Sequence, residues 1–386
     1  MHGVIKIDFR PYLLKTLCLI FVISTGCTSF FPTSLPPSWQ SMTVSPDVYG
    51  RTFHSTVATP NKMIIWGGLS GQSDTYPPVI SNGASYTPST QSWFIISTKN
   101  EPKARYGHST IWTGNEMIIW GGKGTSKELK DGAIYNPTTD KWRPIKTPNH
   151  LSSRMFHKAV WTGKKMIIWG GTNKRKNLND GGIYNPQTNS WEKLPVKNSI
   201  EGLTSHSMIW TGSEVIIWGG HTNSKKSNIG WALSLNTNTW KVLDSNGPAS
   251  RANHATAWVD KKMFILGGMG NHGLLKTAKV YHPDRDKWET IIPLSTARSG
   301  QAIATLDHGF IIWGGKSDNG PSNFGAYYNI DTKHWLALPS DNQPSARMNH
   351  SLVRVGKHLI VWGGFGEKSK DKQGFLNDGR VLNINN

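Results

Sequence analysis

The sequence predicts an all-β chain built from seven copies of one unit, and three observations carry that expectation. Gly-Gly pairs recur at 67–68, 121–122, 170–171, 219–220, 267–268, 314–315 and 363–364, spaced 47 to 54 residues apart. A fixed period of this length is the signature of a repeat architecture. The residues ahead of these pairs, such as Met117-Ile118-Ile119-Trp120 and Met166-Ile167-Ile168-Trp169, are apolar throughout. A strand apolar on both faces belongs in a sheet sandwiched between two others. Turn chemistry separates the runs, as in Trp112-Thr113-Gly114 and Asn136-Pro137-Thr138-Thr139.

Each unit repeats an ordered string. The second reads Arg105, His108, Trp112-Thr113-Gly114, Met117 to Trp120, Gly121-Gly122, Gly132, Tyr135-Asn136-Pro137 and Trp142. This string resembles the kelch repeat, and the resemblance runs from residue 38 to 384. It implies that each unit folds as a four-stranded blade, and hence a seven-bladed kelch β-propeller over 38–386. The last unit ends at Asn386 after its third strand, without its closing tryptophan. The segment Ser38 to Thr43, with Trp39, fits the gap. The N-terminal strand is therefore expected to complete the seventh blade and close the ring, removing a sheet edge. Nearly all tryptophans occupy repeat positions: six precede Gly-Gly, with Leu266 the exception, six open the fourth strand, and four lie near the first turn. They read as core. Trp231 alone falls outside a repeat position.

The first 26 residues read as a secretion leader. Lys6, Arg10 and Lys15 precede the apolar run Leu17 to Ile23, then small residues Ser24-Thr25-Gly26, a run too short to span a bilayer. Ser24-Thr25-Gly26-Cys27 resembles a bacterial lipobox, which implies a lipid on Cys27. It departs from that pattern at Ser24, where leucine is preferred, and Asp8 is unusual in a basic leader. Thr28 in place of aspartate resembles outer-membrane sorting in a Gram-negative cell. Residues 27–37, with Pro32, Pro36 and Pro37, make a linker. The expected location is the bacterial cell envelope, lipid-anchored, with periplasmic or secreted forms the alternative. Cys18 leaves with the leader, so Cys27 is the one remaining thiol, and neither an intrachain disulfide nor a cysteine-rich metal site can form.

Lysine and arginine outnumber aspartate and glutamate 43 to 24, a formal charge of +19. That balance favours polyanionic partners. The loops after Gly-Gly hold Lys123, Lys127, Lys130, Lys174, Arg175, Lys176, Lys225, Lys226, Lys316, Lys368, Lys370 and Lys372. In a blade running down, up, down, up, these loops share one face with the arginine of each Arg-x-x-His. Arg51, Arg105, Arg154 and Arg347 belong to units carrying Asn82, Asp131, Asp180 and Asp378, which predicts an arginine–acid bridge within most blades. The fourth unit loses both, with Leu203 for arginine and Trp231 read at the acid position. Arg251 and Arg298 face Thr277 and Phe324 instead and are expected to lack a partner. They are the leading ligand-contact candidates, since a bidentate fork suits carboxylate or phosphate. Trp231 and Phe324 join them as aromatic platforms, or else pack against neighbouring loops, and Lys225 and Lys226 add charge. The repeat histidines His54, His108, His157, His206, His254 and His350 suit inter-blade hydrogen bonding, with a metal-binding ring the alternative.

No paired carboxylates, Ser-His-acid arrangement or phosphate-binding loop is present, so no catalytic residue, cofactor or metal is assigned. Some kelch propellers are copper oxidases with a cysteine–tyrosine cross-link, a route the cysteine count closes. Others are sialic-acid epimerases. The leading expectation is a non-catalytic exported propeller, monomeric, binding an acidic glycan or envelope protein on its basic loop face. The alternatives are an acidic-sugar-processing enzyme of the envelope, epimerase- or mutarotase-like, using Arg251, Arg298 and a face histidine, and a purely structural component. Nucleic acid fits the charge but not export.

Overall fold

The computed structural model describes residues 38–71, 77–174, 176–197, 199–369 and 372–384. The leader, Cys27, Arg175 and Lys370 lie outside them. Every regular element among the described residues is a β-strand.

The second unit sets the pattern. Strands Ser109–Trp112, Met117–Trp120, Gly132–Asn136 and Lys141–Pro144 pair antiparallel in chain order. Among the described residues seven such four-stranded sheets occur, numbered here in chain order by their first strands: Ser55–Ala58, Ser109–Trp112, Lys158–Trp161, Ser207–Trp210, Ala255–Val259, Ala302–Leu306 and Ser351–Val355. Burial falls from the second strand outward. Met117, Ile118, Ile119 and Trp120 are all inaccessible, whereas on Lys141–Pro144 only Trp142 is buried. Neighbouring sheets cover both faces of the inner strands, which is why those strands are apolar without alternation. Ile64 and Trp66 of sheet 1 pack on Met117 and Ile119 of sheet 2, and so on from sheet to sheet. The series ends with Ile360 and Trp362 of sheet 7 packing on Met63 and Ile65 of sheet 1.

Sheet 7 takes its fourth strand from the other end of the described chain. Trp39–Ser41 pairs with Gly379–Asn383, with Trp39 opposite Leu382. The Trp39 indole Nε1 donates to the Pro339 carbonyl at 2.9 Å. Trp142 and Trp191 make the same bond to Ser97 and Lys146, in the links leading into their own sheets. Trp39 thus fills the position that the last unit lacks.

The Gly-Gly pair ends the second strand because it turns there through positive φ. Gly121 has φ 67° and Gly122 φ 92°, a region only glycine enters freely. A Cβ on Gly122 would lie 2.8 Å from the Tyr106 carbonyl oxygen. The freed backbone groups bond to the next unit: Gly122 N–H donates to the Arg154 carbonyl and Gly364 N–H to the Arg51 carbonyl, each at 2.8 Å.

Candidate functional site

The six repeat arginines are among the most buried side chains of the chain, Arg251 1% and Arg298 0% exposed. Each one cross-braces its own unit through backbone carbonyls. Arg105 Nη1 donates to Gly121 and Asp131 carbonyls, both at 2.9 Å. The expected acid bridges form in three units: Arg105–Asp131 at 3.2 Å, Arg154–Asp180 at 2.9 Å and Arg347–Asp378 at 3.1 Å. Arg51 instead reaches the Asn82 carbonyl at 2.9 Å.

Arg251 and Arg298 require a correction, because neither is partnerless. Arg251 donates to the Gly267, Thr277 and Ala249 carbonyls and to Thr277 Oγ1, the last at 2.8 Å. Arg298 donates to the Gly314 and Phe324 carbonyls and to Thr296 Oγ1, and its guanidinium sits 4.9 Å from the Phe324 ring centroid. Burial lowers both to about 10, so they stay charged at neutral pH. Their forks are spent on the protein itself. Phe324 packs against the core between sheets 5 and 6, beside Arg298 and outside the residues lining the Trp231 cleft. Most of the missed partners are main-chain oxygens, which side-chain patterns do not display, and the rest are threonine hydroxyls and the Phe324 ring.

The repeat histidines bind neighbouring sheets together. His157 Nε2 lies 2.8 Å from Ser109 Oγ, His254 Nε2 2.9 Å from Ser207 Oγ and His54 Nε2 2.6 Å from Ser351 Oγ. Each ring also stands edge-on to the tryptophan of the preceding unit, from Trp66–His108 at 5.4 Å to Trp362–His54 at 5.2 Å. Desolvation dominates their titration: His54, His108, His206 and His350 are pushed down to about 3. Among the described residues no cluster of histidine, cysteine or acidic side chains has metal-binding geometry.

Sheet 4 departs from the pattern, and there the candidates meet. Trp218 pairs with Gly230 as Trp120 pairs with Gly132. Ile229 therefore stands at the acid position, and Trp231 occupies the site of Ala133. Reading Trp231 as the acid's replacement was wrong by two residues, because Ile229 is the residue that directly precedes the glycine. Leu203 and Ile229, in place of arginine and acid, line a cleft of about 570 Å³. Trp231, Lys225, Lys226, Leu203 and Glu201 line it. Lys197 Nζ covers the Trp231 ring at 5.1 Å, leaving part of the indole toward the cleft. Lys225 and Lys226 have no ion-pair partner among the described residues.

A second opening, about 450 Å³, lies where the entries to the first strands of sheets 1 to 5 converge. The residue before each repeat histidine, or before Gln301 in the sixth unit, turns through positive φ: Phe53 52°, Gly107 63°, Phe156 55°, Ser205 54°, Asn253 53°, Gly300 61° and Asn349 53°. Glycine and asparagine are the usual occupants of this conformation, whereas phenylalanine is strained in it. Phe53 and Phe156 nonetheless meet there edge-on, ring centroids 6.0 Å apart. Lys158 reaches the same opening from the start of the third sheet's first strand.

A family model described as the KLHDC2/KLHL20/DRC7 Kelch-repeats domain matches residues 35–202 and 156–301. Kelch-like protein 40 of Xenopus tropicalis is 29% identical over 124 residues, 32% of this chain and 20% of that protein. Alpha-scruin of Limulus polyphemus is 26% identical over 123 residues, 30% of this chain and 13% of its own length. Human kelch domain-containing protein 3 is 27% identical over 141 residues, 32% of this chain and 37% of that protein. In each case the chain covers well under two thirds of the relative's length. The repeat, the sheet topology and the family match agree: this chain belongs to the kelch-repeat domain family.

Proposed function

We propose that the seven sheets close into a seven-bladed propeller whose loop face binds an acidic partner, a glycan or a protein surface, at the cleft of sheet 4. Closure is supported by the Trp39 strand, the Trp362–His54 contact and the Gly364–Arg51 bond, which repeat between sheets 7 and 1 the junctions found between the others.

The observation that carries the binding site is the joint loss of arginine and acid in sheet 4. In units two, three and seven that pair bridges the segment entering the sheet and the third strand. Here Leu203 and Ile229 stand in their place, and the cleft beside them is edged by Trp231 and by two lysines without an ion-pair partner among the described residues. An indole edge beside unpaired ammonium groups suits a ring that carries a carboxylate. Loops on a rigid scaffold are the usual place for such recognition. The Ser24 to Cys27 sequence supports a further part of the proposal, that the protein is exported and held at a bacterial envelope membrane by a lipid on Cys27. Loss of lipid labelling and of membrane fractionation in a Cys27→Ser variant is the outcome expected of that anchor.

The binding test uses polygalacturonate, a polyuronic acid, with the chain from residue 28 onward in a salt titration. Salt-sensitive binding that falls at least tenfold in Trp231→Ala and in Lys225→Ala/Lys226→Ala supports the cleft. Equal binding by all three proteins would place the partner elsewhere.

A further inference from the structure

The opening between sheets 1 and 5 holds a cation that the rest of the fold leaves uncompensated. Lys158 stands at the first position of its strand, where the other sheets have Ser55, Ser109, Ser207, Ala255, Ala302 and Ser351. Among the seven first strands it shares formal charge only with Arg354. Arg354 sits toward the other end of its strand, 3.4 Å from Asp307. The Lys158 ammonium has no hydrogen-bond or ion-pair partner among the described residues. Its side chain is exposed and lines the opening. The surrounding strands desolvate it and lower its pKa. The titratable rings nearest to it, His157, His206 and His254, are themselves held neutral by burial. A charge held at an opening without a protein counter-ion is poised for an anion.

Above the amine the walls differ in kind. Phe53 and Phe156 form one side, in the left-handed conformation that Gly107, Asn253 and Asn349 occupy at the same repeat position. Ser205 and Asn253 supply hydroxyl and amide groups on the other. Strained residues that cluster at an opening point to a function there. Phe53 is 38% exposed, so its ring is not placed there to fill core.

We propose that this opening is a second binding site, distinct from the sheet 4 cleft, for a small aromatic monoanion. The carboxylate meets Lys158 Nζ and the flat ring lies against Phe53 and Phe156. One cation selects one negative charge, and the polar wall accommodates a substituent on the ring.

The repeats themselves supply variants that the backbone accepts. Lys158→Ser installs the residue found at this position in sheets 1, 2, 4 and 7, and it offers His206 the hydroxyl that His157 and His254 have. Phe156→Asn installs the residue found in units five and seven at the same φ. The probe is 2-naphthoate, followed by calorimetric titration against its neutral counterpart 2-naphthamide. The expected result is binding of naphthoate to the wild type at least tenfold tighter than to Lys158→Ser, and at least tenfold tighter than naphthamide. Phe156→Asn weakens it several-fold, and Trp231→Ala leaves it unchanged. Melting temperatures at or above wild type in Lys158→Ser show that any loss is not unfolding. Naphthoate that binds Lys158→Ser as well as wild type, or fails to bind wild type, overturns the proposal.

Discussion

Gln301 Nε2 donates to the Leu266 carbonyl at 3.0 Å, across the junction between sheets 5 and 6. Six of the seven junctions place a histidine edge-on to a tryptophan at this point; here both members are replaced together. The amide makes locally the link that the ring pair makes elsewhere. Restoring only one member, as Leu266→Trp or Gln301→His, is expected to destabilise, since a lone indole overfills the site and a lone imidazole loses the carbonyl bond. The double variant is expected to recover about 0.5–1.5 kcal/mol of coupling, the range measured for aromatic pairs. A double-mutant cycle from urea unfolding checks this, and additive losses would refute it.

Trp39 closes sheet 7 with three paired residues and one indole bond. It is 2% exposed and packs with Leu382 and Leu352. Trp39→Ala is expected to cost about 3–5 kcal/mol, as large-to-small core changes do. The loss should appear as a lowered denaturation midpoint together with faster hydrogen exchange along Gly379–Asn383. An unchanged midpoint would mean that the strand is dispensable to the fold.

The arginine braces separate two contributions that sequence patterns merge. Arg154 serves the Gly170, Asp180 and Ser152 carbonyls as well as the Asp180 carboxylate. If the carbonyls dominate, Arg154→Ala must cost more than Asp180→Ala. Removing the arginine leaves several acceptors bare at about 1–3 kcal/mol for each buried one. Removing the acid leaves the fork still bonded. Arg154→Lys is not expected to rescue, because a point ammonium does not span the same acceptors. Comparable midpoints for Arg154→Ala and Asp180→Ala would return the weight to the ion pair.

Four of the buried histidines have pKa values of about 3 in the folded chain, against about 6.5 in an unfolded one. Between these values the unfolded state binds more protons, so stability falls as pH drops. The contribution is fully present above about pH 7 and is lost progressively from about pH 6.5 toward 3. Each histidine adds up to about 1.4 kcal/mol per pH unit to the slope. Urea midpoints at pH 7.5, 6 and 5 test this, with a plateau expected above 7. In His108→Gln the slope should shrink.

Repeat period and two-faced apolar runs made the sheets legible in the sequence, and the missing tryptophan after Gly379 pointed to Trp39. The site was less legible, for three physical reasons. Arg251 and Arg298 looked free because their partners are the Gly267, Gly314, Thr277 and Phe324 carbonyls, which no side-chain alignment displays. Trp231 was misplaced by two residues, a slip that the Trp218–Gly230 pairing resolves. Lys158 went unnoticed among many loop lysines, although aligning the residue after each repeat histidine or Gln301 sets it against serine and alanine. Patterns report burial and turns well; they do not report which backbone atom a buried fork will find.

Sheet 4 offers the sharpest test of the binding proposal, because the backbone around its cleft already matches the units that hold the arginine–acid pair. Leu203 N–H donates to the Leu178 carbonyl at 3.1 Å and its own carbonyl accepts from Gly171 at 2.8 Å, as Arg154 does with Leu129 and Gly122. The triple change Leu203→Arg, Ile229→Asp, Trp231→Ala therefore installs the arrangement of Arg105, Asp131 and Ala133 on a frame that fits it. The melting temperature is expected to stay within a few degrees of wild type. Binding to polygalacturonate is expected to disappear, although Lys225 and Lys226 remain in place. If the triple variant binds as before, loop charge alone holds the polyanion and the cleft has no part in recognition.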